Sequence, residues 1–135
     1  MCQADFAGSL SPLAQRVQAH LAQWASNTDP ARPFTGRIAY GKLCTTLDPE
    51  RRYWVPRRYK GIGPILAQVS SYEHAQGRPM LSALVVRAYS GRPGKGFAGL
   101  ARSLGKQIVA GQEMDFWRNE VEGVIAYWAG QKARG

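Results

Sequence analysis

The stretch Ile62-Gly63-Pro64-Ile65-Leu66-Ala67-Gln68-Val69-Ser70-Ser71-Tyr72-Glu73-His74-Ala75-Gln76-Gly77, followed by Arg78-Pro79-Met80 and then Leu81-Ser82-Ala83-Leu84-Val85-Val86, contains two different periodicities. Ile62, Ile65, Leu66, Val69 and Tyr72 recur at three- and four-residue spacing, the stripe of an amphipathic helix. Pro64 suits its first turn and Gly77 its C-terminal cap. Leu81–Val86 is apolar without alternation, which predicts a strand covered on both faces. A helix leading directly into a buried strand implies an α+β domain.

At 100° per residue, Glu73 falls within about 20° of Ile62, inside the apolar stripe. A carboxylate there must pair with a cation, accept several hydrogen bonds or become protonated. It is either a structural ion-pair anchor or a tuned acid/base. His74 points off the stripe and is expected at the surface.

Upstream lies Arg51-Arg52-Tyr53-Trp54-Val55-Pro56-Arg57-Arg58-Tyr59-Lys60, which holds five of the eighteen Lys and Arg residues, interleaved with three aromatics. Cations attract phosphates, and aromatic faces stack on bases. Downstream, Arg87 to Lys95 carries Ser90-Gly91 and Pro93-Gly94, both turn signals, with Arg87, Arg92 and Lys95 as cations. Gly94-Lys95-Gly96-Phe97 lacks the spacing and the Lys-Ser/Thr end of a Walker loop. It is read as a tight turn before a helix Phe97–Leu104, with free amides and Lys95 able to hold a phosphate.

Further upstream, Gly36-Arg37-Ile38-Ala39-Tyr40-Gly41-Lys42-Leu43 resembles the entry to the winged-helix domain of the O6-alkylguanine alkyltransferases and alkyltransferase-like proteins. In that family the segment opens a helix-turn-helix that binds the DNA minor groove, and an arginine of the second helix takes the place of a flipped-out base. A recognition helix, a Pro-Cys-His-Arg active-site strand and a turn forming part of the wing follow there. The resemblance covers roughly residues 34–97, the later part by order of elements, and implies a winged-helix-like centre that binds DNA. Leu81–Val86 contains neither Cys nor His, so alkyl transfer is not implied. Arg57 and Arg58 are the nearest candidates for the inserted arginine, and they precede the helix.

Outside this centre, Ser11 and Pro12 predict a helix start, and Leu13, Val17, Leu21 and Trp24 its buried face, with His20 beside it on the surface. Asn27–Gly36 is a loop. Arg37–Leu47 is a strand-like entry and a short helix stopped by Asp48-Pro49. The last helix, about Gln112–Ala129, carries Phe116, Trp117, Val121, Val124, Ile125 and Trp128 toward the core. Glu113, Asp115, Glu120 and Glu122 concentrate acidic charge on it, to face away from a polyanion or to meet the protein's own basic side.

The sequence has 135 residues, 44% hydrophobic and 20% charged, enough for one core. The expected organisation is a loose leader 1–10, a single globular domain 11–130 and a basic tail 131–135, in a mostly α, α+β fold of about five helices. A net charge of +9 and a pI near 10.1 point to an anionic partner, nucleic acid first and duplex DNA in particular. No apolar run is long enough to span a bilayer, and no secretory signal is visible. Two cysteines, Cys2 and Cys44, form no disulfide framework, and a cytoplasmic location is expected. Cys44 is read as a small buried helix residue. Neither a metal site nor a cofactor is expected, since two His and two distant Cys show no ligand spacing.

The leading expectation is DNA binding without catalysis through Arg51, Arg52, Tyr53, Trp54, Arg57, Arg58, Tyr59, Lys60, Arg87, Arg92 and Lys95. The alternatives are a small nucleic-acid-processing, nuclease-like enzyme using Glu73, with His74, Arg87 and Lys95, and a protein-binding regulator of a nucleic-acid enzyme; a protein partner or a homodimer is compatible with each.

Overall fold

The computed structural model describes residues 10–50, 62–94 and 96–134. Among them are five helices, two short 3-10 segments and a two-stranded parallel sheet. Helix α1 spans Pro12–Ser26, and the Ser11 hydroxyl accepts the Ala14 N–H at 3.1 Å as its N-terminal cap. Val17 and Leu21 are fully buried, with Leu13 and Trp24 packed at the edge of the core. His20 departs from the surface position expected of it. It is half-buried against the Trp24 ring, 6.0 Å between centroids, and burial lowers its pKa.

After a 3-10 turn at Pro33–Gly36, β1 (Ile38–Ala39) leads straight into α2 (Tyr40–Leu47). The Trp24 indole donates to the Gly36 carbonyl at 2.8 Å, and a Cβ at Gly36 would lie 2.8 Å from both Ile125 Cδ1 and Thr28 Oγ1. That glycine lets the chain pass between α1 and the last helix. Helix α3 (Ile62–Ala75) follows, then a 3-10 segment Leu81–Leu84 and β2 (Val85–Val86). Strands β1 and β2 pair in parallel, Ile38 with Val85 and Ala39 with Val86. A parallel pair needs a long crossover, and α2 and α3 lie within it.

The continuous strand expected over Leu81–Val86 is therefore only Val85–Val86. All six residues are buried as expected, but three side chains replace sheet neighbours for the backbone. Glu120 accepts the Met80 N–H at 3.0 Å, Ser70 Oγ accepts the Ser82 N–H at 3.2 Å, and the Trp117 indole donates to the Ala83 carbonyl at 2.8 Å. With those groups satisfied from α3 and the last helix, the segment tightens into a 3-10 turn.

Helix α4 covers Gly96–Ser103, and α5 runs Glu113–Arg134, past its expected end at Ala129 and through most of the expected tail. Trp117, Val121, Val124 and Ile125 are buried, and α1 packs against both α5 and α3. The acidic side chains of α5 meet the protein's own cations, Glu113 with Arg102 at 3.0 Å and Glu120 with Lys106 at 3.9 Å. Among the described residues no helix is long and apolar enough to cross a membrane.

Candidate nucleic-acid interface

Two concavities flank the turn that follows β2. The turn is closed by backbone bonds from Arg87 N–H to the Arg92 carbonyl and from Gly91 N–H to the Arg87 carbonyl, both 2.8 Å, with Gly91 at φ +68°. Tyr89 projects from it, 83% exposed, its hydroxyl accepting from Arg87 at 3.1 Å. On one side, a cavity of about 290 Å³ is lined by Tyr40, Gly63, Leu66, Ala67, Ser82, Pro93, Gly94, Gly96, Phe97 and Leu100. Helices α2, α3 and α4 and the turn thus contribute one wall each.

Among the described lining residues, the polar side chains are those of Tyr40 and Ser82. A Cβ at Gly94 would stand 2.7 Å from the Tyr40 oxygen, so only glycine lets the turn close on that phenol. Burial raises the Tyr40 pKa, opposed by a hydrogen bond with the Gly94 backbone and by the charge of Arg87. The phenol stays neutral at physiological pH and is available for hydrogen bonding. Ser82 Oγ accepts from Ser70 Oγ at 2.7 Å, which leaves the proton of Ser82 free to be donated. Ser70 is itself a hydroxyl and a poor general base toward Ser82.

Cys44 lies elsewhere, 1% exposed in the core face of α2. Burial, assisted by the negative charge of Asp48, pushes its thiol pKa up to about 12. A thiol held in that state is a poor nucleophile, in line with its reading as a packing residue. The folded-state pKa exceeds the unfolded value, so this group's contribution to stability is complete below about pH 8.5 and is lost as pH rises toward 12. Cys44→Ala is expected to cost about 1 kcal/mol at neutral pH through lost volume. Chemical denaturation at pH 7 and pH 10 should show the gap between wild type and variant narrowing at the higher pH.

Glu73 is fully buried at the end of α3. Its two oxygens accept a forked pair of bonds from Arg78, Nε at 2.8 Å and the terminal nitrogen at 2.9 Å, and a third bond from Gln18 Nε2 at 3.2 Å. The Arg78 guanidinium lies 5.5 Å from both the Tyr72 and Trp128 ring centroids. Hydrogen bonding to Glu73 drives its pKa further up. The same residue closes the helix, since Arg78 N–H bonds the Glu73 carbonyl at 2.9 Å while Gly77 takes φ +77°. This is a Schellman cap, locked by an ion pair.

Of the alternative enzyme set Glu73, His74, Arg87 and Lys95, the last lies outside the described residues. His74 is exposed and Glu73 is engaged in its pair. At 1.5 Å per residue, Glu73 stands about 10 Å along α3 from Leu66 at the cavity wall. Of the proposed contacts, Arg87 and Arg92 lie on the turn, whereas Arg51, Arg52, Tyr53, Trp54, Arg57, Arg58, Tyr59, Lys60 and Lys95 fall outside the described residues. Among the described residues no group of three His, Cys, Asp or Glu side chains is placed to hold a metal ion.

Sequence reasoning missed Tyr40 and Ser82. Tyr40 was visible as part of the entry string, but nothing local indicated that its hydroxyl would meet Gly94, far along the chain. The chain matches no family model, and no curated protein or solved structure shows significant similarity to it.

Proposed function

We propose that this protein binds duplex DNA and receives one extruded base in the cavity between α2, α3, α4 and the Arg87–Gly94 turn, without performing chemistry on it. The observation that carries this reading is the cavity itself. It is apolar on most of its wall, with Tyr40 and Ser82 among its lining residues and the charge of Arg87 acting on the Tyr40 phenol. A flipped base requires apolar surfaces to stack on and a few hydrogen-bonding groups for its edge.

The resemblance of Gly36–Leu43 to the alkyltransferase entry segment supports the same reading. The order β1, α2, α3, β2 and turn follows the order implied by a winged helix, with α3 as the recognition helix and the exposed Tyr89 turn as the wing. Arg57 or Arg58 then serves as the residue that fills the vacated stack. Leu81–Val86, which stands in the order of elements where the alkyltransferases carry their Pro-Cys-His-Arg strand, contains no Cys, and the Cys44 thiol is buried in the core face of α2. Recognition of a displaced base, rather than its repair, follows from that difference.

A duplex carrying 2-aminopurine at a destabilised position tests the reading. Its fluorescence should rise on binding as the base leaves the stack. Duplex binding without that rise would exclude base extrusion. The electrostatic part is tested separately. If Arg51, Arg52, Arg57, Arg58 and Lys60 touch roughly four to six phosphates, the logarithm of the binding constant should fall with log salt at a slope of about −4 to −5. A flat response would rule out phosphate contacts as the source of affinity.

A further inference from the structure

The second concavity beside the turn, about 270 Å³, is lined by Phe34, Arg37, Ser90, Gly91, Arg92, Met114, Trp117 and Arg118. Three segments distant in sequence converge here: the 3-10 turn before β1, the turn after β2 and the first turns of α5. Arg37 is fixed by two main-chain carbonyls. Its Nε donates to Phe34 and one terminal nitrogen to Gly91, each at 2.9 Å. These bonds use two of the five N–H donors of a guanidinium and leave the others free on an immobilised plane.

Gly91 is favoured by its backbone conformation, and its missing side chain leaves room for Arg37. Its φ is +68°, and a Cβ would sit 2.9 Å from that Arg37 nitrogen. Trp117 is 4% exposed and its ring centroid lies 6.0 Å from that of Phe34. They form the apolar base of the concavity, and Arg37, Arg92 and Arg118 are exposed around it. Among the described residues, these arginines form an ion pair between Arg118 and Asp115, 72% exposed and 3.5 Å away, so three guanidinium charges meet one carboxylate there.

From this arrangement we infer an oxyanion site that takes a phosphate group between Arg37, Arg92 and Arg118. One arginine suffices for a planar carboxylate, whereas three guanidiniums from separate segments match the several acceptor oxygens of a tetrahedral phosphate. The backbone of bound DNA is the favoured source. Gly91 and Arg92 line this site while Pro93 and Gly94 line the base cavity. Consecutive Cα atoms are about 3.8 Å apart, so a phosphate here lies close to an extruded base. That assignment of source rests on the function proposed above; the oxyanion site does not.

Two measurements on the full chain test it. Inorganic phosphate is titrated at constant ionic strength while the Trp117 indole and Gly91 amide resonances are followed, and duplex binding is measured across a salt series. Each is run on wild type and on Arg118→Ala, whose side chain is exposed enough to be removed without disturbing the core. The expected result is a saturable shift in the millimolar range, weakened at least tenfold in Arg118→Ala, together with a salt slope smaller in magnitude by about one. Saturation by phosphate with an unchanged slope supports the site but assigns it to a free phosphate ester. Absence of saturable phosphate shifts in the wild type overturns it, even if the variant binds DNA less well. If no DNA binds at all, the base-extrusion reading falls and the phosphate titration still decides the oxyanion site.

Discussion

Glu73→Gln is expected to lower stability by about 3 kcal/mol, because it leaves the stacked Arg78 guanidinium beside a neutral amide in a site from which water is largely excluded. Glu73 is fully buried and Arg78 19% exposed, so solvent screens the lost charge pair weakly. For a domain of this size the melting temperature should fall by about 10 °C. Arg78→Lys keeps the charge but loses the fork and both ring contacts, and should be comparably harmful. Affinity for DNA per folded molecule should change little, since the pair lies at the opposite end of α3 from the cavity. Thermal melting and a binding isotherm on one preparation decide the matter. A Glu73→Gln protein with an unchanged melting temperature and altered handling of nucleic acid would place Glu73 in a functional site instead.

Ala67→Phe has the largest expected effect on recognition. Ala67 stands on the cavity wall next to Leu66 and one turn of α3 past Gly63, and a phenyl ring there occupies space offered to a base without displacing core residues. Base stacking contributes about 1–3 kcal/mol, so binding to a duplex with a displaced base should weaken on the order of tenfold to a hundredfold. Binding to a fully paired duplex, carried by phosphate contacts, should keep its affinity and salt slope. The 2-aminopurine signal should disappear in parallel. Equal weakening toward both duplexes would argue that the cavity does not discriminate between them.

The helices were largely legible in the sequence because each is long enough to show a stripe. Ser11 and Pro12 marked the start of α1, and Gly77 marked the end of α3 through the left-handed conformation it adopts. Glu73 was conspicuous because a carboxylate inside an apolar stripe has few physical outcomes. Its partner was not fixed locally, since several arginines flank it. Leu81–Leu84 was misread as strand because burial on all sides is shared by buried strands and buried 3-10 turns. What separates them is where their backbone hydrogen bonds end, and those end on Ser70, Trp117 and Glu120.

Net charge, the basic and aromatic composition of residues 51–60, the helical stripes and the turn signals at Ser90-Gly91 and Pro93-Gly94 are determined by the sequence alone, because each depends on residue type and short-range spacing. The two concavities were decided only by tertiary structure. The parallel pairing of Ile38–Ala39 with Val85–Val86 brings the turn after β2 beside the start of α2. Tyr40 then meets Gly94, and Arg37 meets Gly91, across more than fifty residues of chain. Close approach over such a separation depends on packing the whole core, and no local pattern of residues encodes it.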